Sequence, residues 1–205
     1  MRKPTCLAQY SRERRALATL VMMASLAGCT NIALDPTPVV PTKNPLSYSA
    51  KVKLGELAAY MVEPGASMLA DPNLQNHVTG LEGGLRGARS EWEKSIVDYL
   101  AARQTFQQVL LEGGADLDLT LRVIIYIDPS TQYKFNYIYV ARTDATLTDP
   151  RSNRPLGSYS GFGKASGDVS RGGRDDDAGP INRAVHAALN DMFGKIESDP
   201  RLAQL

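Results

Sequence analysis

Apolar and polar residues alternate most regularly from Leu117 to Ile127. Leu117, Leu119, Leu121, Val123, Ile125 and Ile127 fall on one side, with Asp118, Thr120 and Arg122 opposite. A period of two sends successive side chains to opposite faces of a strand, so this segment is predicted to be a strand with one fully buried face. Gly113-Gly114 turns the chain into it and Asp128-Pro129-Ser130 turns it out again. Tyr133 to Leu147 returns as a second long strand, which predicts an antiparallel hairpin. Leu156 to Ala165, rich in Gly and Ser, extends the meander as a third, irregular strand. Earlier in the chain, Tyr48, Ala50, Val52 and Leu54 alternate with Ser49, Lys51 and Lys53, the pattern of a half-buried strand. Leu57 to Val62 reads as a second short strand, ended by Glu63-Pro64-Gly65. Residues 64–89 are punctuated by Gly, Pro and Asn and read as mostly loop, with a strand near His77 to Leu81. Another short strand is expected near Phe106 to Leu111.

Two segments switch to the helical period. Ser90-Glu91-Trp92-Glu93 has the S-x-x-E form in which a hydroxyl and a carboxylate satisfy the orphan amides of a first turn. Trp92, Ile96, Tyr99 and Leu100 then recur at helical spacing, predicting a helix from about Glu91 to Arg103. Gly179-Pro180 opens the other helix, Pro being suited to a first turn. Ile181, Ala184, Val185, Ala188, Leu189, Met192 and Ile196 make its apolar stripe, and Asp199-Pro200 stops it. The intervening Ser166 to Asp177 is polar and expected to be mobile. These elements predict the α+β class, an antiparallel or mixed sheet with two amphipathic helices packed on one face.

The first 46 residues follow neither period. Arg2, Lys3, Arg12, Arg14 and Arg15 precede an apolar run from Ala16 to Ala27, about twelve residues, too short to span a hydrocarbon core that needs roughly 20. A basic segment, a short apolar run and small residues before a cut site make a secretory signal peptide. Leu26-Ala27-Gly28-Cys29 resembles the lipobox of bacterial lipoproteins. That resemblance implies cleavage between Gly28 and Cys29 and a lipid on Cys29, which would hold the chain to membrane lipid. Stable anchoring takes more than one acyl chain, and lipoproteins of this kind carry more than one. Thr30, not Asp, follows the cysteine. By the enterobacterial sorting rule this implies the periplasmic face of the outer membrane, the alternative being the periplasmic face of the inner membrane. Pro36, Pro38, Pro41 and Pro45 favour an extended tether without a core of its own. The expected organisation is a signal peptide over 1–28, a Pro-rich tether over 29–46 and one α+β periplasmic domain over 47–205.

Cleavage changes the charge. It removes five of the 23 Lys and Arg and one of the 22 Asp and Glu, so a formal +1 becomes about −3. No basic patch survives, and nucleic acid is excluded as a partner. Cys6 leaves with the signal peptide, so Cys29 stands alone and no disulfide can form. Gly161-Phe162-Gly163-Lys164 fails as a phosphate loop, because Ser158 stands where the first Gly belongs and Ala165 follows the Lys. Gly157-Ser158-Tyr159-Ser160-Gly161 puts Tyr159 where a nucleophile elbow needs Ser. His77 and His186 are too few and too far apart for zinc, and Asp175-Asp176-Asp177 lacks the spacing and central Gly of a calcium loop. No metal, cofactor or catalytic residue is expected, and the chain is read as non-enzymatic.

Ala115-Asp116-Leu117-Asp118-Leu119, together with Ala187 to Phe193 running into Ser198-Asp199-Pro200-Arg201-Leu202, resembles the YajG family of bacterial lipoproteins over residues 90–205. That family is similar in fold to PelC and CsgG-type envelope lipoproteins, and auxiliary lipoproteins of lipid transporters share the shape. The resemblance implies no catalytic residue. It implies an accessory or scaffold for an outer-membrane assembly, transport or export system, with an envelope protein partner or self-association. The other reading is a module that binds lipid, glycan or peptidoglycan on the sheet. Tyr126, Ile138 and Val140 are the candidate interface, because Tyr133, Phe135, Tyr137 and Tyr139 already make one face of their strand apolar. A sheet covered by helices on one side should leave its other side polar. The alternative is that the loop over 63–89 covers this second face.

Overall fold

The computed structural model describes residue 34 and residues 39–62, 78–80, 89–128, 136–168 and 178–202. All of them belong to one compact unit, Asn31–Leu205. The elements are β1 (Leu46–Val62), β2 (Val78–Gly80), α1 (Arg89–Arg103), β3 (Phe106–Leu110), β4 (Leu117–Asp128), β5 (Asn136–Asp149), β6 (Arg154–Asp168) and α2 (Ala178–Glu197). The strands form one sheet in the order β2-β1-β4-β5-β6, and β3 also pairs with β1. β1 runs parallel to β3 and β4, while β1–β2, β4–β5 and β5–β6 are antiparallel. The class is therefore α+β with a mixed sheet, as the periodicities predict.

One core lies between the sheet and both helices. Leu117, Leu119, Leu121, Val123 and Ile125 of β4 meet Trp92, Ile96 and Leu100 of α1, and the whole predicted stripe of α2 together with Phe193. Each fully buried aliphatic or aromatic side chain contributes about 1.5–3 kcal/mol of transfer free energy. Here they converge on one layer, and that layer holds the fold.

The two short strands expected before and after Gly55 are one. The β1–β4 register slips between Leu54 and Glu56, so Ala50, Val52 and Leu54 enter the core ahead of the bulge and Ala59 enters it afterwards. An inserted residue reverses the face of everything that follows, which is why the alternation breaks where the strand does not. A bulge also withdraws backbone groups from the ladder, and α1 takes some of them up. Glu93 Oε1 accepts the Leu54 amide at 3.2 Å, and the Arg89 guanidinium donates to the carbonyls of Leu54 and Gly55. Accordingly α1 begins at Arg89, two residues ahead of the predicted start.

β6 is regular, not irregular, and pairs with β5 along its length except for a slip beside Leu147. Its glycines answer to the close approach of α2. A Cβ on Gly161 would stand 2.1 Å from the Ala188 carbonyl oxygen, and one on Gly163 would stand 1.9 Å from that of Ala184. Ser166, Gly167 and Asp168, expected to begin a mobile segment, instead belong to β6, and the rest of that segment, 169–177, lies outside the described residues. The Pro-rich segment also touches the domain before Leu46. Leu34 is 2% exposed within the core, Val39 packs against it, and the Thr42 amide donates to the Arg103 carbonyl at 2.7 Å.

Gly28, Cys29, His77, Glu63-Pro64-Gly65, Pro129-Ser130, Tyr133, Phe135 and Asp175-Asp176-Asp177 lie outside the described residues.

Candidate functional site

The sheet face turned away from the helices carries the residues singled out from sequence. β1 and β4 set Tyr60 opposite Tyr126, and β4 and β5 set Tyr126 opposite Val140. The two tyrosine rings stack, with centroids 5.8 Å apart and planes 26° apart. Val62, Ile124 and Tyr126 form a second apolar cluster against which Tyr60 and Val140 pack. Tyr126 is 8% and Ile138 7% exposed. The structure thus brings Tyr126 and Val140 together, and it buries Tyr126 and Ile138. Burial also lifts the Tyr126 hydroxyl pKa above the ordinary phenolic value, so the group stays neutral.

Beyond this apolar end the same face becomes ionic. Arg122 pairs with Glu56 through Nε at 2.7 Å and Nη2 at 2.6 Å, and Arg142 Nε lies 3.0 Å from Asp144. Ser160 Oγ donates to Asp144 at 2.5 Å. An exposed pair such as Arg122–Glu56 adds at most about 1 kcal/mol, so its part here is to order the face more than to stabilise it. Across the β5–β6 pair, Phe162 is opposite Arg142, whose guanidinium carbon stands 5.7 Å from the ring centroid. Phe162 is 54% exposed, the most exposed aromatic ring of the described residues. The sequence places Phe162 in the irregular strand Leu156 to Ala165 and in a failed phosphate loop, and not among the candidate interface residues. Its alternation with Gly161 and Gly163 was the signal that it faces away from the helices.

A second polar centre was missed. Arg103 and Glu197 make a two-pronged pair, Nε to Oε1 at 2.7 Å and Nη2 to Oε2 at 2.9 Å, with both side chains buried. Thr105 Oγ1 donates to Oε1 at 2.7 Å, Thr42 Oγ1 donates to Oε2 at 2.8 Å, and Arg103 Nη1 reaches Asn190 Oδ1. Burial alone would lower the Arg103 pKa, but the Glu197 carboxylate outweighs it and the net displacement is upward. This network ties the ends of both helices to the Pro-rich segment. Arg103 and Glu197 are 94 residues apart, and no local pattern links them.

Two further features complete the surface. Tyr48, Asp116, Leu117, Asp149, Arg151, Arg154 and Leu156 line an open cavity of about 230 Å³ beside the β5–β6 turn. His186 packs beside Tyr99, with ring centroids 5.5 Å apart. Among the described residues, no three His, Cys, Asp or Glu side chains come together as a metal site, and no helix is long and apolar enough to cross a membrane.

No family model matches the chain, and no curated protein matches it either. The YajG resemblance therefore rests on the sequence pattern alone. Among solved structures, protein XCC0632 of Xanthomonas campestris, assigned to the DUF330 family model, is similar with a TM-score of 0.55 at 16% identity. The match covers 82% of this chain and 98% of that one, so the two share a fold. A candidate neuraminyllactose-binding hemagglutinin homologue from Helicobacter pylori matches with a TM-score of 0.46 at 11% identity, over 85% of this chain and 96% of that one. A candidate lipoprotein from Caulobacter crescentus matches with a TM-score of 0.36 at 18% identity, over 55% of this chain and 81% of that one.

Proposed function

We propose that the chain is a lipid-anchored, non-enzymatic envelope protein, held by Cys29 at the periplasmic face of the outer membrane, and that it serves as an accessory or scaffold for an assembly, transport or export system. The observation that carries this reading is Leu26-Ala27-Gly28-Cys29, standing in register behind a basic segment and a short apolar run. Thr30 supports the outer-membrane destination. The YajG-like pattern over residues 90–205 supports the accessory role.

A second reading, a module that binds lipid, glycan or peptidoglycan on the outer sheet face, is favoured by one feature. Phe162 is exposed there beside Arg142, and an aromatic ring next to a guanidinium offers a ligand or partner both an apolar face and a charge.

Palmitate labelling tests the anchor. The wild type should take up label and fractionate with the outer membrane, whereas Cys29→Ala should take up none and appear in the soluble fraction. Membrane association without label would refute the lipid anchor, and label confined to the inner membrane would refute the sorting. In the same cells, sedimentation with peptidoglycan that is lost on Phe162→Ala would favour the ligand-binding module over the scaffold.

A further inference from the structure

β6 is the last strand of the sheet and is 15 residues long. A long open edge is a template for pairing with another chain, and folded proteins close such edges by covering or charging them. In an antiparallel ladder, alternate residues direct their amide groups toward the partner strand or away from it. From Ser158 to Asp168, past the slip in the β5–β6 register, the even-numbered residues of β6 point away, and three of their backbone groups are occupied. The Phe162 amide donates to Asp191 Oδ2 at 3.1 Å. The Ser160 carbonyl accepts from Lys195 Nζ at 2.8 Å, and the Ser166 carbonyl accepts from Arg183 Nη2 at 3.0 Å.

All three partners lie on one stripe of α2, at spacings of eight and four residues. Asp191 and Lys195 are also paired with each other at 2.9 Å. None of the three belongs to the core, and exposed ion pairs contribute little stability. Their position along the edge is what their energetics leave unexplained. Gly161 and Gly163 make the reach possible, because they let the α2 backbone lie directly on β6.

We infer that Arg183, Asp191 and Lys195 form a clasp that keeps the β6 edge from pairing with the β6 edge of a second copy of this chain. The strand itself indicates that occupant. Gly161 is the midpoint of Arg154–Asp168, and Phe162 beside it is more than half exposed. Two antiparallel copies related by a two-fold axis at the strand centre would bring their Phe162 rings together and continue the sheet across the interface. With the clasp closed, the edge is shielded; with it open, the same backbone groups become donors and acceptors for the second copy. The inference is independent of the lipid anchor.

Cross-linking of the full chain in membranes tests it. The sequence contains only Cys6 and Cys29, so Ser160→Cys places a reporter thiol on the edge, and the chain without it is the control. With the clasp intact, a short thiol cross-linker should leave the reporter chain monomeric. Adding Asp191→Ala and Lys195→Ala should raise covalent dimer several-fold, and adding Lys164→Pro as well should abolish it, since Pro on an outward edge position cannot donate to a new strand. If the Asp191→Ala/Lys195→Ala chain fails to fold, Arg183→Ala/Lys195→Ala frees two carbonyls while keeping Asp191 on Phe162, and must also raise dimer. Three results would overturn the inference: folded clasp variants that stay monomeric, equal dimer with the clasp intact, or dimer that survives Lys164→Pro.

Discussion

Replacing Gly163 by Ala probes the contact on which the sheet–helix layer depends. The added Cβ would meet the Ala184 carbonyl oxygen at 1.9 Å and the Ala188 nitrogen at 2.6 Å, where ordinary contact begins at 3.4 Å. Both obstacles are backbone, so no rotamer can relieve them, and α2 would have to retreat by about 1.5 Å, the difference between 3.4 and 1.9 Å. That helix holds Ala184, Val185, Ala188, Leu189, Met192, Phe193 and Ile196 at zero exposure, so a retreat opens the core along several turns. Overpacking costs about 1–3 kcal/mol, more where backbone must move. Against it stands the roughly 0.4–1 kcal/mol by which Ala restricts the unfolded chain. The net loss should be about 2 kcal/mol or more, which at about 2–4 °C per kcal/mol for a domain of this size lowers the melting temperature by about 4–8 °C. Gly114→Ala, with nothing within 4 Å of the new Cβ, has only the unfolded-chain gain and should raise the melting temperature slightly, and Gly55→Ala, meeting only the Thr120 methyl at 3.1 Å and a carbonyl at 3.3 Å, should fall between them. Thermal unfolding followed by far-UV circular dichroism reads all three. If Gly163→Ala melts with Gly114→Ala, the close approach of α2 to β6 is wrong.

Glu197→Ala should cost about 3–5 kcal/mol in denaturant titration, because it strands the buried Arg103 guanidinium, and a loss below about 1 kcal/mol would mean that water reaches that charge. Tyr126→Ser and Ile138→Ser should each cost about 2–4 kcal/mol, and an unchanged melting temperature would show the second face to be open to solvent. Tyr159 donates to Asp199 at 2.6 Å, and burial with that carboxylate pushes its pKa up to about 12. The unfolded phenol ionises near 10, so this contribution is fully present below pH 10 and is lost as pH rises toward about 12. Tyr159→Phe should flatten that part of the stability–pH curve, and an unaltered slope would remove Tyr159 from the linkage.

Much of this protein was legible in its residues alone. The uninterrupted alternation of β4, the stripe of α2 and the spacing of Trp92, Ile96, Tyr99 and Leu100 each repeat one period long enough to name both the element and its buried face. Hence the two-helix α+β layer followed. The reading failed where a local pattern answered to a distant element. Gly55 reads as the end of a strand because a bulge reverses the alternation, and the glycines of β6 make that strand read as irregular because only α2, some 20 to 30 residues further on, explains the missing side chains. Arg103 and Glu197 read as ordinary helix ends until folding buried them together with Thr42 and Thr105. Periodicity reports the face a residue presents within its own element. Which backbone it touches, which charge it neutralises and which strand edge it closes are pairwise facts about segments far apart in sequence, and the folded chain alone decides them.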